Sequence, residues 1–266
     1  MNRGRVKSLE KVTADCHLLK IEPVQPLEAS PGQFIFLRTA SGLTDPLLRR
    51  PFSIHYCDPE DGTVWILFRV VGRGTTLMAA LEQGQYIDFL GPLGKGFYLG
   101  PHDREVILVS GGVGVAPIFF WASCLNGRGV KFEFLHGTDT ARNLLPDDYF
   151  ARAGAAPMVA TEDGSSGYRG RVTDLFEHIT HEKSKKPDRV YGCGPLPMLS
   201  SLVNLARAAG IPSQVSLEAE MACGVGACLG CVREVGPRGE DGVPVFLRVC
   251  KDGPVFPGEA VVFDES

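Results

Sequence analysis

Val106-Ile107-Leu108-Val109-Ser110-Gly111-Gly112-Val113-Gly114-Val115-Ala116-Pro117 decides the architecture of the middle of the chain. The first four residues are apolar and mostly β-branched, which reads as a buried strand. The glycines end it, and Pro117 falls near the first turn of a helix predicted to reach Leu125. The same alternation continues outward. Strands are predicted over Lys131 to His136, Val159 to Thr161 and Arg189 to Tyr191, with helices over Thr173 to His178 and Pro195 to Ala209, the last stopped by Gly210. Strands alternating with helices make a parallel, doubly wound sheet.

At such a glycine turn the backbone can approach a pyrophosphate, and the unpaired amides of the helix start then stabilise the anion. The stretch is not a GxGxxG fingerprint, and tight strand-to-helix turns also use glycine for steric reasons alone. A second strand end, Tyr191-Gly192-Cys193-Gly194-Pro195, feeds another helix. Two glycine-punctuated strand ends in one sheet suggest a dinucleotide across its carboxyl edge.

Before Leu99 the rhythm differs. Short runs at His17 to Ile21, Gln33 to Leu37, Val64 to Val71 and Tyr86 to Leu90 are separated by Pro and Gly turns, as in a small antiparallel β-barrel. One helical stretch, Thr75 to Leu81, follows Gly72-Arg73-Gly74. Within Arg49-Arg50-Pro51-Phe52-Ser53-Ile54, Arg50 can grip a phosphate through two N–H groups, and Ser53 can hydrogen-bond a heterocycle edge. The plainer reading makes Arg-Pro an edge-strand device and Phe52 part of the core.

Past Ile211 the composition turns Gly- and Cys-rich. Cys223, Cys228, Cys231 and Cys250 have the C-x4-C-x2-C and distant-Cys spacing by which one loop wraps a [2Fe-2S] cluster. The glycines between them can turn bare N–H groups toward inorganic sulfide. Zinc also takes four thiolates but usually draws them from two C-x2-C pairs, and only one is present. A disulfide framework suits neither a chain of 266 residues nor one lacking a secretory signal. Cys16, Cys57, Cys124 and Cys193 are scattered and read as small hydrophobes. Gly236 to Gly242 reads as a surface loop between the third and fourth cysteines. The expected organisation is a β-barrel over residues 1–100, an α/β domain over 101–211 and a small cluster domain over 212–266.

Composition excludes several classes. A net charge of −4 with no dense Lys/Arg block argues against a nucleic-acid surface. With 44% hydrophobic and 22% charged residues the chain is globular, and apolar runs such as Pro117 to Leu125 fall short of the ~20 residues that cross a bilayer. The basic N-terminus has no following apolar run, so the cytoplasm is the expected location.

Arg50-Pro51-Phe52-Ser53, Gly72-Arg73-Gly74-Thr75, the Gly111 to Pro117 turn and Gly192-Cys193-Gly194-Pro195 occur in the order and spacing of the ferredoxin reductase superfamily, which pairs an FAD barrel with an NAD(P) domain. With Met221-Ala222-Cys223-Gly224-Val225-Gly226-Ala227-Cys228-Leu229-Gly230-Cys231, the whole chain resembles the electron-transfer subunits of class B dihydroorotate dehydrogenases, iron–sulfur flavoproteins of bacterial pyrimidine synthesis. The resemblance implies that Arg50 and Ser53, with Pro51 and Phe52 between them, hold the FAD pyrophosphate and flavin ring. Leu67, Phe68 and Arg69 would line flavin and ribityl chain, and Gly74 and Thr75 would cap the phosphates. Gly111, Gly112, Gly114 and Pro117 would face NADH, with Cys193, Gly194 and Pro195 near the nicotinamide. The four cysteines would ligate the cluster. Gly230 stands where relatives often carry Ala.

Nicotinamide gives or takes a hydride and a cluster moves single electrons, so a flavin between them is the natural converter. The reading therefore expects no catalytic acid–base residue and treats all six histidines as surface or core side chains. The resemblance implies an FMN-containing catalytic subunit as partner, in a heterotetramer with two of each chain. Electrons would run from dihydroorotate through FMN, cluster and FAD to NAD+. The contact is expected around the cluster loop, at exposed Val225, Leu229 and Met221. A sibling subunit serving a sulfide dehydrogenase, a hydrogenase or a transhydrogenase is the alternative, and a non-enzymatic zinc module a more distant one. Asp139 can accept a ribose hydroxyl and Arg142 is the lone base nearby, which favours NAD over NADP.

Overall fold

The computed structural model describes residues 2–39, 45–182, 186–236 and 243–263. Seven strands build the N-terminal barrel: β1 (Asn2–Lys11), β2 (Cys16–Pro23), β3 (Phe34–Leu37), β4 (Arg50–Ser53), β5 (Tyr56–Cys57), β6 (Val64–Arg69) and β7 (Tyr86–Leu93). Their order is β4-β3-β7-β1-β2-β6-β5, with every neighbouring pair antiparallel. Leu19, Ile21, Ile35, Leu37, Ile66, Phe68 and Phe89 fill its interior. Each buried side chain of this size contributes roughly 1.5–3 kcal/mol.

Helix α1 (Arg73–Ala79) begins two residues before the expected Thr75, because the Thr75 hydroxyl accepts from the Val71 and Gly72 amides (2.9 and 3.2 Å) and so caps a turn that already contains Arg73. For the same reason β6 stops at Arg69 rather than Val71. Val70 and Val71 are exposed on the way into the helix.

The second sheet has the order β11-β10-β9-β8-β12-β13-β16. It comprises β8 (Glu105–Gly111), β9 (Lys131–Thr138), β10 (Met158–Thr161), β11 (Tyr168–Arg169), β12 (Arg189–Cys193), β13 (Ser213–Ser216) and, after the hairpin β14 (Val232–Glu234) and β15 (Phe246–Arg248), β16 (Val255–Pro257). All pairs are parallel except β13 with β16. On the central strand Val106 and Leu108 enter one core, and Ile107 and Val109 the other. Helix α2 (Val115–Gly127) covers the first face, followed by one short turn, α3 (Asp147–Phe150). Helices α4 (Val172–Glu182) and α5 (Leu196–Ala208) cover the second. The sheet thus runs past Ile211, where the sequence reading ended it. Ser213-Gln214-Val215-Ser216 lacks an apolar run, yet is buried between two strands. Of the loop expected at Gly236 to Gly242, residues 237–242 lie outside the described residues.

Helix α2 is apolar nearly all round because two layers bury it. Ile118, Phe119, Trp121 and Ala122 pack on the sheet, while Phe120 reaches the barrel core. His55, fully buried, fastens the same seam: its Nδ1 donates to the Ala116 carbonyl (3.1 Å) and its Nε2 accepts from the Tyr149 hydroxyl (2.7 Å). The barrel and the α/β sheet are thereby held at a fixed distance.

Candidate functional site

Two cavities open at the carboxyl edge of the α/β sheet. The larger, about 460 Å³, lies between barrel and sheet. Pro51, Phe52 and Ser53 of β4 and Leu67, Phe68 and Arg69 of β6 form one wall, and the Gly111 to Gly114 turn with Cys193, Gly194 and Pro195 forms the other. Its far end is closed by Ser216 to Ala219 and Met221. The second, about 400 Å³, follows the strand ends past His136, Thr138, Asp139 and Glu162, with Thr13 and Asp15 of the barrel at its edge. Leu67, Arg69, Gly111, Gly112, Val113 and Pro195 belong to both. Both volumes fall in the range of small-molecule sites.

The shared turn is shaped for backbone approach. Gly112 has φ +52°, with open space where a side chain would stand, and a Cβ on Gly114 would run into the Cys193 carbonyl. Thr75 also lines the larger cavity. Arg50 and Gly74 are outside both linings but meet each other: the Arg50 side chain passes 3.6 Å from where a Gly74 Cβ would lie. Beside them the Thr39 hydroxyl is buried without a hydrogen-bond partner. A buried hydroxyl donor without a partner, beside a guanidinium and the start of α1, fits a phosphate-bearing flavin nucleotide. Pro117 lines neither cavity, being buried in the first turn of α2.

The four loop cysteines fall into two pairs. The Cys228 amide donates to Cys223 Sγ and the Cys250 amide to Cys231 Sγ, both at 3.4 Å. Amides of Val225, Cys228 and Ala227 and the Cys228 side chain hold the Cys223 thiol down at about 6, so it is largely thiolate at neutral pH. Burial and the adjacent Cys231 push Cys250 up to about 12, a crowding that a bound cation would relieve. Two thiols for each of two irons is the arrangement a [2Fe-2S] centre takes. Gly224 docks the loop on the barrel, since a Cβ there would lie 2.8 Å from Phe36. At Gly230 a Cβ would stand 3.6 Å from Cys228 Sγ, an ordinary contact, so an alanine would fit there. Leu229 takes the left-handed conformation (φ 59°) with its side chain exposed, as is that of Val225. Met221 departs from expectation: it is half-buried, because it faces the larger cavity and packs on the Leu217 core.

At the outer end of the second cavity, Asp139 Oδ1 accepts from the Thr140 amide (2.9 Å) and from Asn143 Nδ2 (2.8 Å). Arg142 is exposed and outside the lining. Glu162 and Arg171 in this cavity and Glu218 in the larger one were not anticipated from sequence. Glu162 sits in an acidic-glycine turn that reads as a mere strand end, and Glu218 has no local signal at all.

Residues 218–262 match the iron–sulfur cluster binding domain of dihydroorotate dehydrogenase B, and residues 3–98 the oxidoreductase FAD-binding domain. The chain is 43% identical over 234 residues to the dihydroorotate dehydrogenase B (NAD(+)) electron transfer subunit of Geobacillus kaustophilus, covering 87% of this chain and 86% of the relative. To the subunit of the same name from Fusobacterium nucleatum it is 38% identical over 249 residues, 92% of each chain. Among solved structures, the NADH-dependent reduced ferredoxin-NADP oxidoreductase of flavin-based electron bifurcation superposes with a TM-score of 0.85 at 31% identity, covering 98% of this chain and 90% of that one. The ferredoxin reductase of carbazole 1,9a-dioxygenase, at 20% identity and a TM-score of 0.69 over 79% of this chain and 66% of that one, shares the fold.

Proposed function

Because the chain belongs to the family of dihydroorotate dehydrogenase B electron transfer subunits, we propose that its two cavities and its cysteine loop form one continuous electron path. The protein is an oxidoreductase subunit that binds FAD, a [2Fe-2S] cluster and NAD(H), and works with a dihydroorotate dehydrogenase partner in pyrimidine synthesis. The observation that carries the path is that the larger cavity touches both ends: it shares the Gly111 to Val113 turn with the strand-end cavity and reaches Met221 beside the cluster loop.

In this reading the flavin ring lies against Ser53, Phe68 and Gly112, and the phosphates lie by Thr75, Gly74 and Arg50. Bound there, FAD converts between the hydride of nicotinamide and the single electrons of the cluster. Cys193 and Gly194 border the nicotinamide, while Cys223, Cys228, Cys231 and Cys250 hold the two irons in pairs. The barrel, the α/β sheet and a cluster lobe starting near Glu218 are the three working units. The partner's redox group is FMN, the assembly has two of each chain, and docking uses the exposed Val225 and Leu229. The test is reconstitution: the subunit mixed with an FMN-containing catalytic chain should reduce NAD+ with dihydroorotate, and neither alone should. The resemblance to the ferredoxin-NADP oxidoreductase favours a second reading, with reduced ferredoxin as donor. It displaces the first if ferredoxin supports NAD+ reduction by the chain and dihydroorotate with its partner does not.

The nucleotide end makes a separate prediction. Asp139, fixed through one oxygen, offers the other to a ribose diol, and Glu162 beside it repels a 2′-phosphate. Asp139→Ala should raise the KM for NADH roughly 10- to 100-fold, from loss of a charged hydrogen bond of roughly 1.5–3 kcal/mol. It should also shrink the ratio of kcat/KM for NADH over NADPH. Steady-state kinetics with both nucleotides read it, and an unchanged ratio would assign the selection elsewhere.

A further inference from the structure

Each electron that enters the cysteine loop adds negative charge beside its sulfurs. Backbone N–H groups aimed at those sulfurs favour the more negative form, so the firmness of their aim helps set the potential at which the loop accepts an electron. The Val225, Cys228 and Ala227 amides face Cys223 Sγ, and the Gly226 amide faces Cys250 Sγ. Gly224 and Gly226, with φ +70° and +82°, let the chain fan these amides inward. Glycine permits that course but does not hold it.

Arg248 holds it. This last residue of β15 donates from Nη1 to the Gly226 carbonyl (3.2 Å). A trans peptide is planar, with its C=O and N–H on opposite edges, so the group that fixes the Gly226 carbonyl also fixes the direction of the Ala227 N–H. The guanidinium is itself clamped by Asp252, whose Oδ2 accepts from Nε (2.8 Å) and whose Oδ1 accepts from Nη2 (3.2 Å). Main-chain bonds tighten the clamp: the Arg248 amide donates to Asp252 Oδ2 (3.0 Å) and the Asp252 amide to the Arg248 carbonyl (2.8 Å), closing a turn that contains Cys250. Across the hairpin Arg248 pairs with Val232, the neighbour of Cys231. The three segments that carry the sulfurs therefore meet at one guanidinium.

The charge of that group matters less than its grip. The Cys250 and Cys231 sulfurs feel the Arg248 cation, but the Asp252 carboxylate matches it at ion-pair distance. Both side chains also reach solvent, 30% and 20% exposed, so water and salt screen what is left.

We propose that Arg248, seated by Asp252, is a positioning residue that raises the reduction potential of the cluster by turning the Gly226–Ala227 peptide so that its N–H points at Cys223. The inference rests on the reading of the four cysteines as the cluster's ligands.

The test is an anaerobic redox titration of the flavin- and cluster-loaded chain, followed by EPR of the reduced cluster. Arg248→Met occupies similar space without a donor, and should lower the ratio of reduced to oxidised cluster at a fixed potential about 10-fold, which for a one-electron couple is about 59 mV. Asp252→Asn discriminates by sign. It removes the anion and leaves the cation, so an effect of charge would raise the potential, whereas loosening of the clamp lowers it, as in Arg248→Met. Lys251→Met strips a cation from the side chain lying over Gly226 but leaves the clamp intact, and should move the potential less than about a third as far. Pulsed EPR after exchange into deuterated buffer reads the aim itself: a deuteron coupling present in the parent should weaken in both clamp variants. Iron and acid-labile sulfide equal to the parent show that a variant carries its cluster, and if Arg248→Met loses iron, Asp252→Asn decides alone through the same two readouts. A potential that rises or stays level in Asp252→Asn, a deuteron coupling that is unchanged, or iron lost from both variants each overturns the proposal. A parent chain without iron and sulfide would instead remove the ligand reading, so the two failures are told apart.

Discussion

Cys231→Ser should yield a yellow protein with FAD in place and neither iron nor acid-labile sulfide. Cys231 and Cys250 are buried and form one of the two thiol pairs, so the substitution leaves one iron with a single thiolate and an alcohol, a poor ligand for it. Reduction of NAD+ by dihydroorotate in the reconstituted complex should fall to background. NADH should still bleach the flavin, because the walls of the larger cavity carry Met221 but none of the four ligands. This split separates loss of the cluster from general misfolding, and Cys124→Ser, on α2 and remote from the loop, is the control that should keep full iron content. Two irons per chain persisting in Cys231→Ser would remove the cluster assignment.

Much of this arrangement was legible because backbone chemistry writes itself into composition. Gly111, Gly112 and Gly114 mark a turn that needs glycine, the first and last because a side chain would clash and Gly112 because its φ is positive. Cys223, Cys228 and Cys231 can converge only if the loop between them is small. The elements and their order could therefore be read along the chain. Residues whose role depends on another element could not. Arg50 reads in sequence as a grip on a phosphate, but only the fold shows that its side chain lies over Gly74, a neighbour made by the β4 to α1 contact. Pro117 sits in a glycine turn in sequence, but the first turn of α2 rotates it into the core. Met221 reads as an exposed apolar residue and is instead half-buried, because the fold sets it against the larger cavity and the core around Leu217. Strand β13 was missed since Ser213, Gln214 and Ser216 are polar. They are buried by the strands either side, one of which, β16, arrives some forty residues later. Glu162 and Glu218 belong to the same class: ordinary acidic residues until the sheet edge brings them to a cavity.

Acid should destabilise this protein well above the pH at which carboxylates titrate. Two fully buried histidines hold seams together: His55 between Ala116 and Tyr149, and His136 at the end of β9, with Nδ1 2.9 Å from the Ser110 hydroxyl. Burial lowers them from 6.5 to about 3 and about 4. In the unfolded chain both take up protons near 6.5, whereas the folded chain keeps them neutral until far lower pH. Stability is therefore complete above 6.5 and is lost as pH falls from there toward the folded values. At pH 5 each imidazole costs about 2 kcal/mol, and the pair about 4, against pH 7.5. Exposed Asp61 and Asp163 and half-buried Asp252, whose pKa values are lowered, add their own losses only further into acid. Glu218, raised, acts in the opposite sense and is open to its cavity. Urea unfolding followed by the fluorescence of Trp65 and Trp121, both buried, should show the midpoint dropping steeply between pH 6.5 and 5. His55→Gln, whose amide can still donate to the Ala116 carbonyl, should halve that slope. The effect matters for the electron path because His55 sets the spacing of barrel and sheet. A midpoint flat across that window would mean that water reaches the imidazoles and the seam between the two cavity walls is looser than its geometry implies.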